Sequence, residues 1–592
     1  MGNNHSVEGL TPSQRFFRML AMDGKDIAYV YIYAIFAGLI TLTLPLGVQA
    51  ILGLVAGGTQ SASLVLLIAL VTAAIAFSGI LKIMQMSVIE VIQQRIFARS
   101  AFDFSYRIPR FRLDTLKNYY PPELINRFFD TITLQKGLPK ILMDFSTAVL
   151  QIFFGLMLIS FYHPLYVFFS VVLMAFIFLI LRVTGARALA TSIKESKYKY
   201  EVAHWLEEQG RSLTTFKLAG DTPYALRRTD ALTGEYLKSR MAHFKILRGQ
   251  YASIIVFEVI VMASLLALGS YLVLQNEINI GQFVAADIVV ILVISSVEKM
   301  IVTMETIYDV LTALDKLGYV TDLPLEDNSG LSFERCDKGY GIHVQLEGVS
   351  FSFPDSERKV LNDLYLDIPS GETLCISGYN GSGKTTLLEL LAGLFPNFKG
   401  SISYNGFPLR SLQLDSFRHH IGEFFAEDHI FSGTILENIT IGDPDLPLEK
   451  VIQTTENLGL AKAIRKLPDG FNTLLSPEGR NISRNMRIKI LMARAIVRES
   501  KLVVVEDTFS VLEPQDRHTI IQTLTRPDRP WTLILVSNDP IMASHCQRVI
   551  ILKEGKVVES GTFAELAKSG RHFSNIFDPD QNNWLHLPPS DH

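Results

Sequence analysis

The stretch best equipped for chemistry is Gly378-Tyr-Asn380-Gly381-Ser382-Gly383-Lys384-Thr385-Thr386. Its glycines let backbone N–H groups close around phosphate oxygens. Lys384 would reach the β- and γ-phosphates of a nucleotide, and the Thr385 hydroxyl suits Mg²⁺. Such a loop works only between a strand and a helix. Thr373-Leu-Cys-Ile-Ser377 reads as the strand, and Thr386-Leu-Leu-Glu-Leu-Leu391 opens the helix. Cys336, Cys375 and Cys546 are widely spaced, form no metal or redox motif and read as free thiols.

Further β-rich runs at 343–353, 502–505, 532–536 and 548–552 alternate with helical ones. They place the loop in a mixed α/β domain over 342–575, followed by a polar tail, 576–592. The half before it has another character. Residues 27–81 and 145–181 contain no Asp, Glu, Lys or Arg. The breaks at Ala56-Gly-Gly-Thr-Gln60 and His163-Pro164 divide these runs into four spans, since a bilayer core takes roughly 20 apolar residues. Two more spans are predicted at 251–275 and 278–300. Connections after spans one, three and five are short and lack Lys and Arg. Those after spans two and four (82–144 and 182–250) are long, helical in pattern and rich in both, which marks the cytoplasmic side and puts both termini there.

Each long connection reads as helices that leave the membrane, reverse and return, with reversals expected at Pro121–Arg127 and Ser212–Gly220. Thr11 to Leu20, within an N-terminal elbow of residues 1–26, is amphipathic and suits the inner membrane surface. The membrane domain is expected over 27–315 and a polar linker over 316–341. Glu258 and Asp287 stand out inside spans, where ionisable groups are functional suspects. At 1.5 Å per residue Glu258 lies about 25 Å from the outer end of its span, near the inner headgroups. Asp287 lies about 13 Å in, a substrate-pathway depth. With 48% hydrophobic residues and a net charge of −4, the 592-residue chain is too apolar for one soluble core. It offers no basic patch for nucleic acid.

At these motifs the chain resembles the ATP-binding cassette (ABC) transporters of exporter type: an all-α six-helix membrane domain fused to an α/β P-loop cassette. Supporting stretches include Val349-Ser-Phe-Ser-Phe353, Ile421-Gly-Glu-Phe-Phe-Ala-Glu427, Ile430-Phe-Ser-Gly-Thr-Ile-Leu-Glu-Asn-Ile439, Leu467-Pro-Asp-Gly470 and Gly479-Arg-Asn-Ile-Ser483. The resemblance implies that Phe353 stacks on adenine and that Thr385, Glu427 and Glu506 surround Mg²⁺. Several positions depart from the family. Its Q-loop glutamine is Glu427 here, which adds negative charge beside the triphosphate. Its Leu-Ser-Gly-Gly-Gln signature reads Ile482-Ser483-Arg484-Asn485-Met486, where bulky side chains replace the glycines that approach a partner's γ-phosphate. Its Walker B acids appear transposed as Glu506-Asp507. That leaves Asp507 as a general base about 1–1.5 Å short, a misplacement that can cost ~100-fold in rate. Its switch histidine is Asn538, which can donate a hydrogen bond but carries no charge.

The resemblance therefore implies an ATP-dependent exporter half-transporter that binds ATP and Mg²⁺ but hydrolyses slowly, working as a homodimer or heterodimer by alternating access. Glu427 and the helical reversals would form its coupling path. It looks closest to bacterial type I secretion exporters without the peptidase domain, which implies the inner membrane, a cytoplasmic cassette and a periplasmic adaptor. The cargo stays open among protein or peptide, lipid and drug-like molecules. The rival reading is an ATP-sensing, hydrolysis-deficient subunit that regulates an intact partner.

Overall fold

The computed structural model describes residues 10–577, apart from 58–61, 117–120, 337–338, 355, 357 and 499. The expected tail from 578 onward and most of the break at 56–60 lie outside the described residues. The chain divides into two compact units, one holding residues up to Phe111 and from 118 to Pro324, the other holding Leu325 onward together with Arg112–Lys117.

Among its described residues the first unit contains six helical segments long and apolar enough to cross a membrane: Gly24–Ala56, Ala62–Arg110, Pro121–Ser160, Pro164–Arg211, Tyr224–Leu274 and Ile280–Thr321. The uninterrupted helices Pro164–Arg211 and Tyr224–Leu274 have 48 and 51 residues, roughly 72 and 77 Å, more than twice the hydrocarbon thickness. The first span is two helices that meet at Leu42. Pro45 explains the break, because it has no N–H for the Thr41 carbonyl and its ring clashes there. In the third span Pro139 ends an α-helix, and residues Lys140–Phe145 continue as a π-helix. Gly155 lets the third span approach the sixth. A Cβ there would sit 2.9 Å from Val293 Cγ2 and 3.2 Å from Val289 Cγ1.

The N-terminal amphipathic stretch is the helix Pro12–Met22, started by a capping box between Thr11 and Gln14. Its Arg15 pairs with Asp322 beyond the end of the sixth span. The second reversal falls where expected, as the short helix Leu213–Leu218. Phe216 packs edge-on against Trp205 at 5.8 Å, and Leu213 and Leu218 are exposed. The first reversal does not lie at Pro121–Arg127. The chain turns earlier, through Ile108–Arg110 and a helix Leu113–Leu116 that belongs to the second unit, where Asp114 accepts from Asn397 Nδ2 at 2.8 Å. Pro121 and Pro122 instead begin the returning helix, the position where proline's missing N–H costs nothing. Leu124 is buried there, and Arg127 lies 3.6 Å over the Tyr200 ring.

In the second unit residues 325–336 are packed rather than loose. Arg418 makes a two-bond ion pair with Glu326 at 2.5 and 2.8 Å, and Phe333 is fully buried. The strands are β1 (Val344–Phe351), β2 (Leu361–Ile368), β3 (Thr373–Gly378), β4 (Lys399–Tyr404), β5 (Phe407–Pro408), β6 (Ile421–Phe424), β7 (Gly433–Thr434), β8 (Leu474–Leu475), β9 (Leu502–Glu506), β10 (Thr532–Val536), β11 (Arg548–Lys553) and β12 (Lys556–Gly561). The main sheet has the order β12-β11-β3-β10-β9-β6, and a second runs β2-β1-β4-β5. Every residue of β3 and β10 is buried, as in parallel strands covered on both faces. The register sets Val536 opposite both Ile376 and Glu506, so β3, β9 and β10 end together. Carboxyl ends of neighbouring parallel strands form the crevice in which α/β proteins hold ligands.

Candidate functional site

The P-loop leaves β3 at Gly378 and enters the helix Lys384–Leu391 through Gly383, whose φ of +98° is the left-handed conformation that favours glycine. At Gly378 a Cβ would stand 2.2 Å from the Leu552 carbonyl oxygen. The Lys384 ammonium donates to the carbonyls of Gly378 and Tyr379 at 2.8 and 2.9 Å, which holds it across the loop. Burial lowers its pKa, and nearby Glu506 opposes that. Asn380 and Gly381 are exposed at the tip, and Thr386 is buried in the first helical turn. The Ser382 hydroxyl is buried without a hydrogen-bond partner among the described residues. A glycine-lined loop with an orphaned hydroxyl and a lysine fits a phosphate chain.

At the end of β9, Glu506 Oε1 accepts from Thr385 Oγ1 at 2.7 Å and Oε2 accepts from the Ala426 N–H at 3.1 Å. Glu506 thus joins the P-loop helix to the segment carrying Glu427, which is exposed. Among the described residues no cluster of three or more His, Cys, Asp or Glu side chains could hold a metal by itself. The paired Thr385 and Glu506 oxygens fit Mg²⁺, which prefers few protein oxygens plus water and substrate phosphates. They would hold the ion there and position the terminal phosphates.

Asp507 is turned inward. Its Oδ1 accepts from the Phe509 N–H at 2.8 Å and its Oδ2 from Ser537 Oγ at 2.5 Å. Asn538 grips the loop itself. Its Oδ1 accepts from Ser377 Oγ at 2.8 Å and from the Gly378 N–H at 3.2 Å, while Nδ2 donates to the Gly378 carbonyl at 3.1 Å. Phe353 is half-buried and packs edge-on against Phe351 and Phe395, at 5.1 and 5.7 Å. A cavity of about 480 Å³ lined by Arg358, Lys359, Val360, Gly381 and Glu554 opens beside the loop.

Ser483 caps the helix Arg484–Val497, accepting from the Met486 N–H at 3.2 Å. Arg484 is exposed in the first turn. Asn485 does not project: its amide donates to Asp516, which Lys489 also binds at 2.6 Å. Burial opposes ionisation of Asp516, yet these two bonds hold its carboxyl below the ordinary range. In the membrane unit Asp287 is half-buried and Glu258 exposed, and neither makes an ion pair or side-chain hydrogen bond among the described residues.

Sequence reasoning passed over three features. Arg358-Lys359 is a basic pair legible just after Phe353. Ser537, the clamp on Asp507, carries no signal of its own. Glu389 follows Thr385 by one helical turn. Burial and the charges of Glu506 and Glu427 raise its pKa from 4.5 to about 7.

Two protein families match. The ABC transporter transmembrane region family covers residues 27–297, and the ABC transporter family covers 361–510. Among curated proteins, a leukotoxin translocation ATP-binding protein of Mannheimia haemolytica is 29% identical over 310 residues, 52% of this chain and 43% of that protein. The toxin RTX-I translocation ATP-binding protein of Actinobacillus pleuropneumoniae is 25% identical over 362 residues, 61% of this chain and 51% of its own length. The chain thus matches about half the length of these relatives. A solved bacterial Atm1-family ABC exporter with ATP bound superposes with a TM-score of 0.85 at 16% identity, covering 96% of this chain and 100% of that one. With a membrane region and a cassette in one polypeptide, this chain belongs to the ABC transporter family and has the exporter fold.

Proposed function

We propose that this chain is one half of an ATP-driven exporter in a bacterial inner membrane, with its cassette in the cytoplasm and a second copy or a related half as partner. The observation that carries this reading is the P-loop built against Glu506 on a chain with six membrane-length apolar helices. MgATP would sit on Gly378, Asn380–Thr386 and Glu506, with Phe353 toward the base and Arg358 and Lys359 beside it. Ser483 and Arg484 of each cassette would complete the other's site. Binding would join two cassettes and bias the helices toward an outward-open state, with hydrolysis as a slow reset. Slow turnover is supported by the short, inward-held Asp507 and the neutral, loop-bound Asn538.

Relatives that translocate leukotoxin and RTX toxin make a protein or peptide the favoured cargo and an adaptor a natural partner. Asp287, half-buried and unpaired in the sixth span, is proposed to face the pathway; exposed Glu258 is proposed as an interfacial charge. A second reading, an ATP-sensing subunit paired with an intact half, draws on the same tethering of Asp507 and Asn538.

The test is to purify the chain in lipid nanodiscs and measure stoichiometry, MgATP binding and turnover together. Binding with slow turnover in a dimer is expected. Turnover at tens per second per site would sink the slow-hydrolysis reading, and no MgATP binding would sink the exporter reading.

A further inference from the structure

Hydrolysis needs a carboxylate free to take a proton from water at the γ-phosphate, and Asp507, Glu506, Glu389 and Glu427 are the candidates on the P-loop helix, at the end of β9 and on the segments after β6 and β9. The first two have both oxygens engaged by hydrogen bonds. Both Asp507 oxygens accept hydrogen bonds, from Phe509 N–H and Ser537 Oγ, and Ser537 Oγ is itself held by the Asp539 N–H at 2.9 Å. Swinging Asp507 outward would forfeit both bonds, and its side chain is a methylene short even then. Both Glu506 oxygens are likewise taken, by Thr385 and the Ala426 N–H. Glu389 lies inward on the P-loop helix, half-buried.

Glu427 remains. It is exposed, and among the described residues it makes no side-chain hydrogen bond or ion pair. Its place is set by its neighbour: the Ala426 N–H sits on Glu506, so residue 427 follows directly on the group paired with Thr385. The charges of Glu427 and Glu506 both act on Glu389, which ties the three to one locality.

We infer that Glu427, rather than Asp507, is the general base of ATP hydrolysis in this chain. The inference rests on the ATPase reading above. As the water oxygen bonds to the γ-phosphorus, Glu427 accepts one water proton. The bond from the γ-phosphorus to the bridging oxygen breaks, and its electron pair leaves on the β-phosphate of ADP. Glu427 then returns the proton to solvent as phosphate departs. Asp507 becomes a positioning residue that fixes the loop after β9 to Ser537. A base on the segment after β6 also explains how a glutamate is tolerated beside a triphosphate: it serves the water rather than the phosphate.

The experiment compares full-length wild type, Glu427→Gln, Glu427→Asp and Asp507→Asn in nanodiscs at saturating MgATP. Removing a general base lowers kcat by about 100-fold or more, so Glu427→Gln is expected to show that loss while Kd for a fluorescent ATP analogue stays near wild type. The same variant should retain ATP after free nucleotide is removed, and Glu427→Asp should recover part of the rate. Asp507→Asn should cost about tenfold or less. A larger loss in Asp507→Asn than in Glu427→Gln overturns the assignment. So does recovery of Glu427→Gln at high Mg²⁺, the behaviour of a residue that only holds the ion. A wild type that neither binds nor hydrolyses MgATP overturns the ATPase reading as well, whereas an active wild type with an equally active Glu427→Gln overturns this assignment alone.

Discussion

Asn538 occupies the position where the family carries a histidine, and its environment shows why restoring the histidine is no simple repair. The amide meets Ser377 and both backbone groups of Gly378, a donor and acceptor set that an imidazole cannot reproduce at once. Asn538→His is therefore expected to weaken ATP binding rather than speed turnover, read by comparing Kd and kcat in one preparation. Lys384→Ala should weaken ATP binding by about 10–100-fold, the range for losing a hydrogen bond to a charged group. Glu389 makes stability depend on pH. Its pKa rises from 4.5 to about 7 on folding, so between those values the folded cassette binds more protons than the unfolded chain. The contribution is favourable at the acid end of that window and is lost as pH rises through it. Glu389→Gln should flatten that slope, with a Tm gain on the order of 2–4 °C at pH 8 and little change at pH 5. The P-loop was legible residue by residue, because its glycines and lysine act through backbone geometry that neighbours in sequence create. The tethers on Asp507, Asn538 and Asn485 were not: Ser537, Gly378 and Asp516 meet them only through strand register and helix packing.

At the scale of elements, runs without charge located the first four spans, and short apolar runs located β3, β9 and β10. Both signals follow from apolar surroundings, lipid for the spans and protein for the strands. The flanking strands β2, β4, β6 and β12 escaped notice because short mixed sequences take strand form only when paired. The first reversal was misplaced for a related reason. A double proline can mark a turn or a helix start, and only the packing of Leu124 and Arg127 decides which. Gly155 tests the close approach of the third and sixth spans. Its replacement by Leu should force Val293 and Val289 aside, with an overpacking cost of about 1–3 kcal/mol, seen as a lower melting midpoint with the cassette signal unchanged.

For the whole molecule, a nucleotide that binds only folded cassettes must raise their stability by mass action. MgATP at about 100 times the wild-type Kd should add about 2.7 kcal/mol, visible as a higher cassette midpoint that Lys384→Ala cuts to about 0.4–1.4 kcal/mol. What the sequence alone determined is composition-driven: six apolar helices, a phosphate-binding loop between strand and helix, and a family whose catalytic positions are altered here. Those properties depend on residue type and local spacing. Which carboxylate is free and which is held was decided by the tertiary structure alone. The parallel register of β3, β9 and β10 brings residues far apart in the chain within hydrogen-bonding distance, and no local pattern encodes that meeting.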